Sequence, residues 1–128
     1  MAGTTIRIGV IGCGAFADFA VEQYLQVSGA RVTAVGGSRN PERLRRFASR
    51  FNIPRILDAE AVATSTDVDL VYIATPPFLH YPQALTALRA GKHVLCEKPL
   101  ALNLQQADQL VKLARDKDRL MVANLIQR

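Results

Sequence analysis

Thr5-Ile6-Arg7-Ile8-Gly9-Val10-Ile11-Gly12-Cys13-Gly14-Ala15-Phe16-Ala17 decides how the rest of the chain is read. Thr5 to Ile11 is apolar and β-branched at most positions, is interrupted only by Arg7 and Gly9, and stops at Gly12, which predicts a buried strand. Behind the glycines, Ala17, Ala20, Val21, Tyr24 and Leu25 recur at the spacing of one helical face. A helix is therefore expected from about Gly14 to Val27, and Gly29 breaks it.

The alternation continues outward. Ala30 to Val35 predicts a second strand ending in Gly36-Gly37. Asn40 can cap a helix whose first position is Pro41 and whose buried stripe is Leu44, Phe47, Ala48 and Phe51. A short strand at Arg55 to Leu57 and a small helix from about Asp58 to Thr64 follow, then a strand at Leu70 to Ala74 stopped by Thr75-Pro76-Pro77. The next helix is expected to start near Tyr81-Pro82, to bury Ala84, Leu85 and Leu88, and to end at Gly91. His93 to Cys96 predicts a strand, Asn103 with Gln106 resembles a capping box, and Ala107, Leu110, Val111 and Ala114 continue that helix's face. Leu120 to Ile126 predicts the last strand. Strands alternating with helices throughout imply parallel strands joined by right-handed crossovers, a doubly wound α/β sheet in three α/β/α layers.

Length and composition agree with a single domain. The chain has 128 residues, of which 49% are hydrophobic and 21% charged, enough apolar material for one core. Its 16 Lys and Arg against 11 Asp and Glu leave a net charge of +5, which favours anionic partners. No uncharged apolar stretch reaches the roughly 18 residues of a spanning helix, and the start lacks a signal-peptide pattern, so a cytoplasmic protein with no membrane partner is expected. Cys13 and Cys96 lie in no metal-ligand spacing and are expected to be free thiols; no metal site is anticipated.

In a doubly wound sheet, ligands bind beyond the carboxyl ends of the strands, where strand order reverses, and four segments are expected to meet there: residues 12–17, the run 36–40, Thr75-Pro76-Pro77 and Glu97-Lys98-Pro99. Gly12-Cys13-Gly14-Ala15-Phe16-Ala17 is G-x-G-x-x-A, placed between a predicted strand and a predicted helix, the context a dinucleotide loop needs. Gly12 permits the tight turn, Gly14 keeps the way open for a pyrophosphate to reach the helix amides at Ala15 and Phe16, and small Ala17 lets helix and strand lie close. NAD-binding loops usually carry an acidic residue after the second strand, for the ribose 2′-hydroxyl. Here that place holds Ser38-Arg39-Asn40, and a hydroxyl beside a guanidinium suits a 2′-phosphate. NADP(H) is therefore favoured over NAD(H), with Arg39 the first candidate and Arg43, one turn on, the second. The neighbouring arginines 45, 46, 50 and 55 are expected to be solvated surface, and Asn40 a cap.

Val71-Tyr72-Ile73-Ala74-Thr75-Pro76, His80, and Ala90-Gly91-Lys92-His93-Val94-Leu95-Cys96-Glu97-Lys98-Pro99-Leu100-Ala101 carry a resemblance to the glucose-fructose oxidoreductase, inositol dehydrogenase and MocA-like family over nearly the whole chain. The resemblance implies the N-terminal NAD(P)-binding Rossmann domain of an oxidoreductase that moves hydride between the nicotinamide and a sugar, cyclitol or related polyol. Lys98 matches the family's active-site lysine, which touches the substrate hydroxyl and helps proton transfer. Glu97 and Pro99 match the residues that shape its turn, where the family often has a cis peptide. Ala74, Thr75, Pro76 and His80 match the strand end and loop along the cofactor, with capping or orienting the next helix the alternative role for His80. His93, at the far end of its strand, is expected to be structural, and Cys96 a small buried apolar residue.

Two departures qualify the resemblance. Position 77 is Pro where the family commonly has Asn, which removes a side-chain amide from the cofactor loop. Family members also carry a C-terminal domain that supplies an acid/base residue and most substrate contacts, and it is absent from these 128 residues. The chain is thus expected to bind cofactor and turn over little. A stand-alone nucleotide-binding or redox-sensing module without catalysis is the alternative. Nucleic acid is not an expected partner, since no recognition motif accompanies the arginines. Self-assembly into a homo-oligomer is left open.

Overall fold

The structure, a computed structural model, describes residues 5–124. Its elements run β1 (Ile6–Ile11), α1 (Ala15–Tyr24), β2 (Ala30–Gly36), α2 (Pro41–Phe51), β3 (Arg55–Ile56), α3 (Ala59–Thr64), β4 (Leu70–Ile73), α4 (Pro77–Arg89), β5 (His93–Glu97), α5 (Leu104–Asp116) and β6 (Met121–Asn124). The strands form one six-stranded sheet in the order β3-β2-β1-β4-β5-β6, every neighbouring pair parallel. The expected α/β/α architecture is thus present. The chain winds outward from β1 to β3, then returns to pair β4 against the other side of β1, so strand order reverses between β1 and β4.

Side-chain alternation divides the core into two layers. Val10 and Tyr72 face α1 and α2, packing with Ala17, Val21, Leu44, Phe47 and Phe51. Ile11, Val71 and Ile73 face the other way, against Val62 of α3, Ala84 and Leu88 of α4 and Leu110 of α5. All four residues of the expected α2 stripe are buried, and Asn40 caps that helix by accepting from the Arg43 amide at 3.1 Å. Asn103 caps α5 by accepting from the Gln106 amide at 2.8 Å, while Gln106 Oε1 accepts from the amide of Leu102. The box therefore closes one residue before the cap. His93 is structural as expected, its Nδ1 accepting from the Leu120 amide at 3.0 Å.

Two helix boundaries differ from the sequence reading. Helix α1 ends at Tyr24, because the following amides of Gln26 and Val27 turn back three residues to Gln23 and Tyr24 and tighten the last turn. Leu25, expected in the buried stripe, is consequently 45% exposed. Val111 is likewise exposed, on the outer side of α5. Helix α4 starts at Pro77, four residues before the expected Tyr81, and carries Pro82 in its interior. Pro77 at the first position needs no amide partner; Pro82 forgoes one bond, offset by burial of His80, Ala84, Ala87 and Leu88 on the same helix. The end of the expected last strand, at 125 and 126, lies outside the described residues.

Candidate functional site

Three strand ends converge at the reversal of strand order. The chain leaves β1 at Gly12, β2 at Gly37 and β4 at Ala74. These turns enclose a crevice of about 470 Å³ lined by Gly12, Gly14, Ser38, Arg39, Arg43, Ala74, Thr75 and Pro76, with Cys13, Gly37, Phe78 and Leu79 completing the wall. Backbone bonds hold the turns together: the Gly12 amide donates to the Gly36 carbonyl at 2.8 Å and the Ala74 amide to the Ile11 carbonyl at 2.8 Å.

The two glycines of the loop do different work. Gly12 has φ +111°, and a Cβ there would lie 2.7 Å from the Ala74 carbonyl oxygen, so only glycine fits between β1 and β4. Gly14 has φ −85°, which any residue can adopt, and a Cβ there would meet nothing within 4 Å. The folded chain therefore does not itself require glycine at 14. The open space fronts the amino end of α1, whose cap makes no side-chain hydrogen bond. Amides at a helix start carry partial positive charge and lack intrahelical partners, so an anionic diphosphate fits this cradle. Ala15 lies in an adjoining cleft of about 390 Å³, which Arg43, Arg46 and Arg50 also line. Phe16 is 55% exposed, on the first turn of α1 and outside the crevice lining.

Arg39 and Arg43 enter no ion pair among the described residues, whereas Arg50 pairs with Asp18 and Glu22 and Arg55 with Asp67. No carboxylate lines the crevice. Ser38 Oγ accepts from the Asn40 amide at 3.1 Å, which shapes the turn into α2.

Glu97 ends β5, Lys98 and Pro99 follow it, and the Lys98–Pro99 peptide is cis. Lys98 and Pro99 are exposed, Glu97 is buried on the face of the sheet it shares with Tyr72, and none of the three lines the crevice. There the hydroxyl of fully buried Tyr72 donates to Glu97 Oε2 at 2.5 Å. Tyr24 packs edge-on against Tyr72 with ring centroids 5.5 Å apart. Burial, reinforced by the Glu97 charge, pushes the Tyr24 phenol up to about 12 and the Cys96 thiol up to about 12, and drives Tyr72 upward as well. Both phenols therefore stay protonated, and the Tyr72 hydroxyl remains a donor. We expect Tyr72→Phe to lower stability by about 1 to 3 kcal/mol in urea unfolding, since a buried carboxylate loses a donor; an unchanged midpoint would show the bond to be unimportant.

His80 lies off the crevice wall, which is the alternative of its two expected placements. Its ring is buried and is not part of the crevice wall; Nε2 lies 2.6 Å from the Thr75 carbonyl and Nδ1 2.6 Å from the Pro99 carbonyl. Helix geometry is the cause, because starting α4 at Pro77 carries position 80 onto the inner face. Tyr72 and Phe78 are not singled out as site residues by the sequence, whereas Gly37 lies in the run 36–40 expected at the ligand end. A tyrosine amid the aliphatic residues of β4 signals a buried hydrogen-bond partner. Phe78 was hidden by the late placement of α4.

Among the described residues no helix is long and apolar enough to cross a membrane, and no group of His, Cys, Asp or Glu could hold a metal ion.

Residues 6–125 match the GFO_IDH_MocA model, described as an oxidoreductase family with an NAD-binding Rossmann fold. The chain is 41% identical over 125 residues to dTDP-3,4-didehydro-2,6-dideoxy-alpha-D-glucose 3-reductase of Actinomadura kijaniata, covering 94% of this chain and 36% of that protein. It is 37% identical over 111 residues to a scyllo-inositol 2-dehydrogenase (NADP(+)) of Bacillus subtilis, covering 86% of this chain and 34% of that protein. Among solved structures, biliverdin reductase of Synechocystis, in complex with biliverdin and NADP+, superposes with a TM-score of 0.88 at 32% identity, covering 93% of this chain and 37% of that one. The chain thus spans about a third of the length of the relatives it matches. With a parallel sheet wound in the order 3-2-1-4-5-6, a glycine loop at its switch point and a family match across that whole frame, the chain belongs to the GFO_IDH_MocA oxidoreductase family.

Proposed function

We propose that this chain is the dinucleotide-holding domain of an NAD(P)-dependent oxidoreductase acting on a sugar, cyclitol or related polyol, with NADP(H) its preferred cofactor. The observation that carries the cofactor choice is the crevice wall beyond β2, where Ser38, Arg39 and Arg43 stand with no carboxylate. An unpaired guanidinium beside a hydroxyl binds a phosphate monoester by charge-assisted hydrogen bonds and gives a free ribose hydroxyl little. Relatives whose names include NADP+ support this reading, as do relatives named for sugar and cyclitol substrates.

When bound, the nicotinamide would supply the hydride-transfer chemistry. The chain's own residues hold and orient it: Gly12 shapes the turn, Gly14 leaves room for the diphosphate at the start of α1, and Thr75 with Pro76 forms the opposite wall. Lys98, exposed on the turn after β5, is the group assigned to bind the substrate hydroxyl and move its proton through Nζ. Glu97, immediately before that turn, is held by the Tyr72 hydroxyl.

The test is calorimetric titration of NADP+ and NAD+ into the chain and into Arg39→Ala. The variant is expected to lose about tenfold or more in NADP+ affinity, about 1.4 kcal/mol, with NAD+ nearly unaffected. Equal losses for the two cofactors would make Arg39 surface charge, and no binding of either to the unaltered chain would overturn the reading.

A further inference from the structure

We propose that His80 is a positioning residue that ties the wall of the cofactor crevice to the turn carrying Lys98, so that the place of the lysine is set relative to the cofactor by one buried ring. The inference rests on the reading of Lys98 as the proton-handling group and adds a residue that touches neither substrate nor cofactor.

Thr75 and Pro99 are 24 residues apart in sequence, on turns that leave different strands, β4 and β5. The ring of His80 spans them, with Nε2 and Nδ1 each 2.6 Å from a backbone carbonyl. Thr75 lines the crevice, and Pro99 directly follows Lys98. Both acceptors are main-chain atoms, so the contacts constrain the path of each turn directly. Carbonyl oxygens only accept: a ring with one N–H donates to one turn, and a ring with hydrogen on both nitrogens donates to both. The ring is itself fixed, being 1% exposed and seated on the inner face of α4. Thr75 is held a second time, its hydroxyl donating to Gln83 Oε1 of the same helix at 2.5 Å. The crevice side of the tie is thus doubly fastened to α4. Lys98 and Pro99 are exposed, and among the hydrogen bonds described for that turn the His80 contact is the one that reaches the crevice wall. Loss of the ring should therefore free the lysine turn far more than the crevice.

The experiment is nitrogen NMR of the chain at neutral pH, comparing it with His80→Asn, which is too short to span both carbonyls, and His80→Gln, which can donate to one. In the unaltered chain a His80 ring N–H should be visible and slow to exchange with water, and the backbone order parameters of Lys98 and Leu100 should be near the rigid value of about 0.85. In His80→Asn those at Lys98 and Leu100 should fall below about 0.6, while Gly12 to Gly14 and Ala84 to Leu88 stay rigid; His80→Gln should fall between. Unchanged order at Lys98 in either variant overturns the proposal. So does loss of order spread equally through α4, which would make His80 an ordinary core residue. If both variants fail to fold, a rapidly exchanging ring N–H in the unaltered chain also decides against it. Titration of NADP+ and NAD+ separates the two ideas, because a chain that binds neither can still show the tie, and a chain that binds NADP+ can still lack it.

Discussion

Gly14→Ala should leave the melting temperature of the chain nearly unchanged and weaken cofactor binding at least tenfold, whereas Gly12→Ala should damage both. At position 14 the backbone is in an ordinary extended conformation and a methyl group enters open space, so folding should change by no more than about 0.5 kcal/mol. The same methyl would stand in the approach to the first amides of α1, and losing one charge-assisted bond there costs about 1.5 to 3 kcal/mol, a ten- to hundredfold loss of affinity. At position 12, φ is +111° and the added carbon would lie 2.7 Å from the Ala74 carbonyl oxygen. Strain of that kind costs on the order of 1 to 3 kcal/mol before the displacement of β4 is counted. Thermal unfolding of each variant beside NADP+ titration checks both halves. Undiminished NADP+ affinity in Gly14→Ala would place the diphosphate elsewhere.

The second large effect lies at the opposite end of the sheet. Lys92 is buried immediately before β5, and its Nζ donates to the carbonyls of Ser65 at 2.5 Å and Val68 at 2.7 Å. It staples the turn between α3 and β4. Lys92→Met keeps the length and apolar stem of the side chain and removes both donors, leaving two carbonyls that each lose about 1 to 3 kcal/mol of hydrogen bonding. A drop in melting temperature on the order of 10 °C is expected, with cofactor affinity per folded molecule unchanged. Burial also holds the Lys92 ammonium below its ordinary value of 10.5. Between its folded value and 10.5 the unfolded chain binds more protons than the folded one, so this lysine's contribution to stability rises with pH across that window. Urea unfolding of the unaltered chain should show that rise, and Lys92→Met should flatten it; identical slopes would show that the site does not titrate there.

Much of the site was legible because its residues act through backbone shape or charge, which local sequence records. Gly12 and Gly14 stand between a β-branched run and a helical stripe, and Ser38-Arg39 occupies the place of the usual acid. Less legible were contacts that depend on register between distant strands. Tyr72 reaches Glu97 across neighbouring strands that pair Tyr72 with Leu95, so the two side chains share a face only once β4 and β5 are aligned. Leu25 read as a core residue by helical spacing, and its exposure follows from a turn that tightens at the helix end.

What the sequence determined by itself is the alternation of elements, the parallel winding that follows from it, and the two glycines with their basic companion residues. These rest on periodicity, turn chemistry and charge, each set within a few neighbouring positions. Tertiary structure alone decided what His80 does: four residues of helix added before Tyr81 turned its ring away from the crevice and onto two carbonyls from separate strands. No local pattern encodes that choice, because a buried ring takes its partners from whichever turns the assembled sheet brings to it.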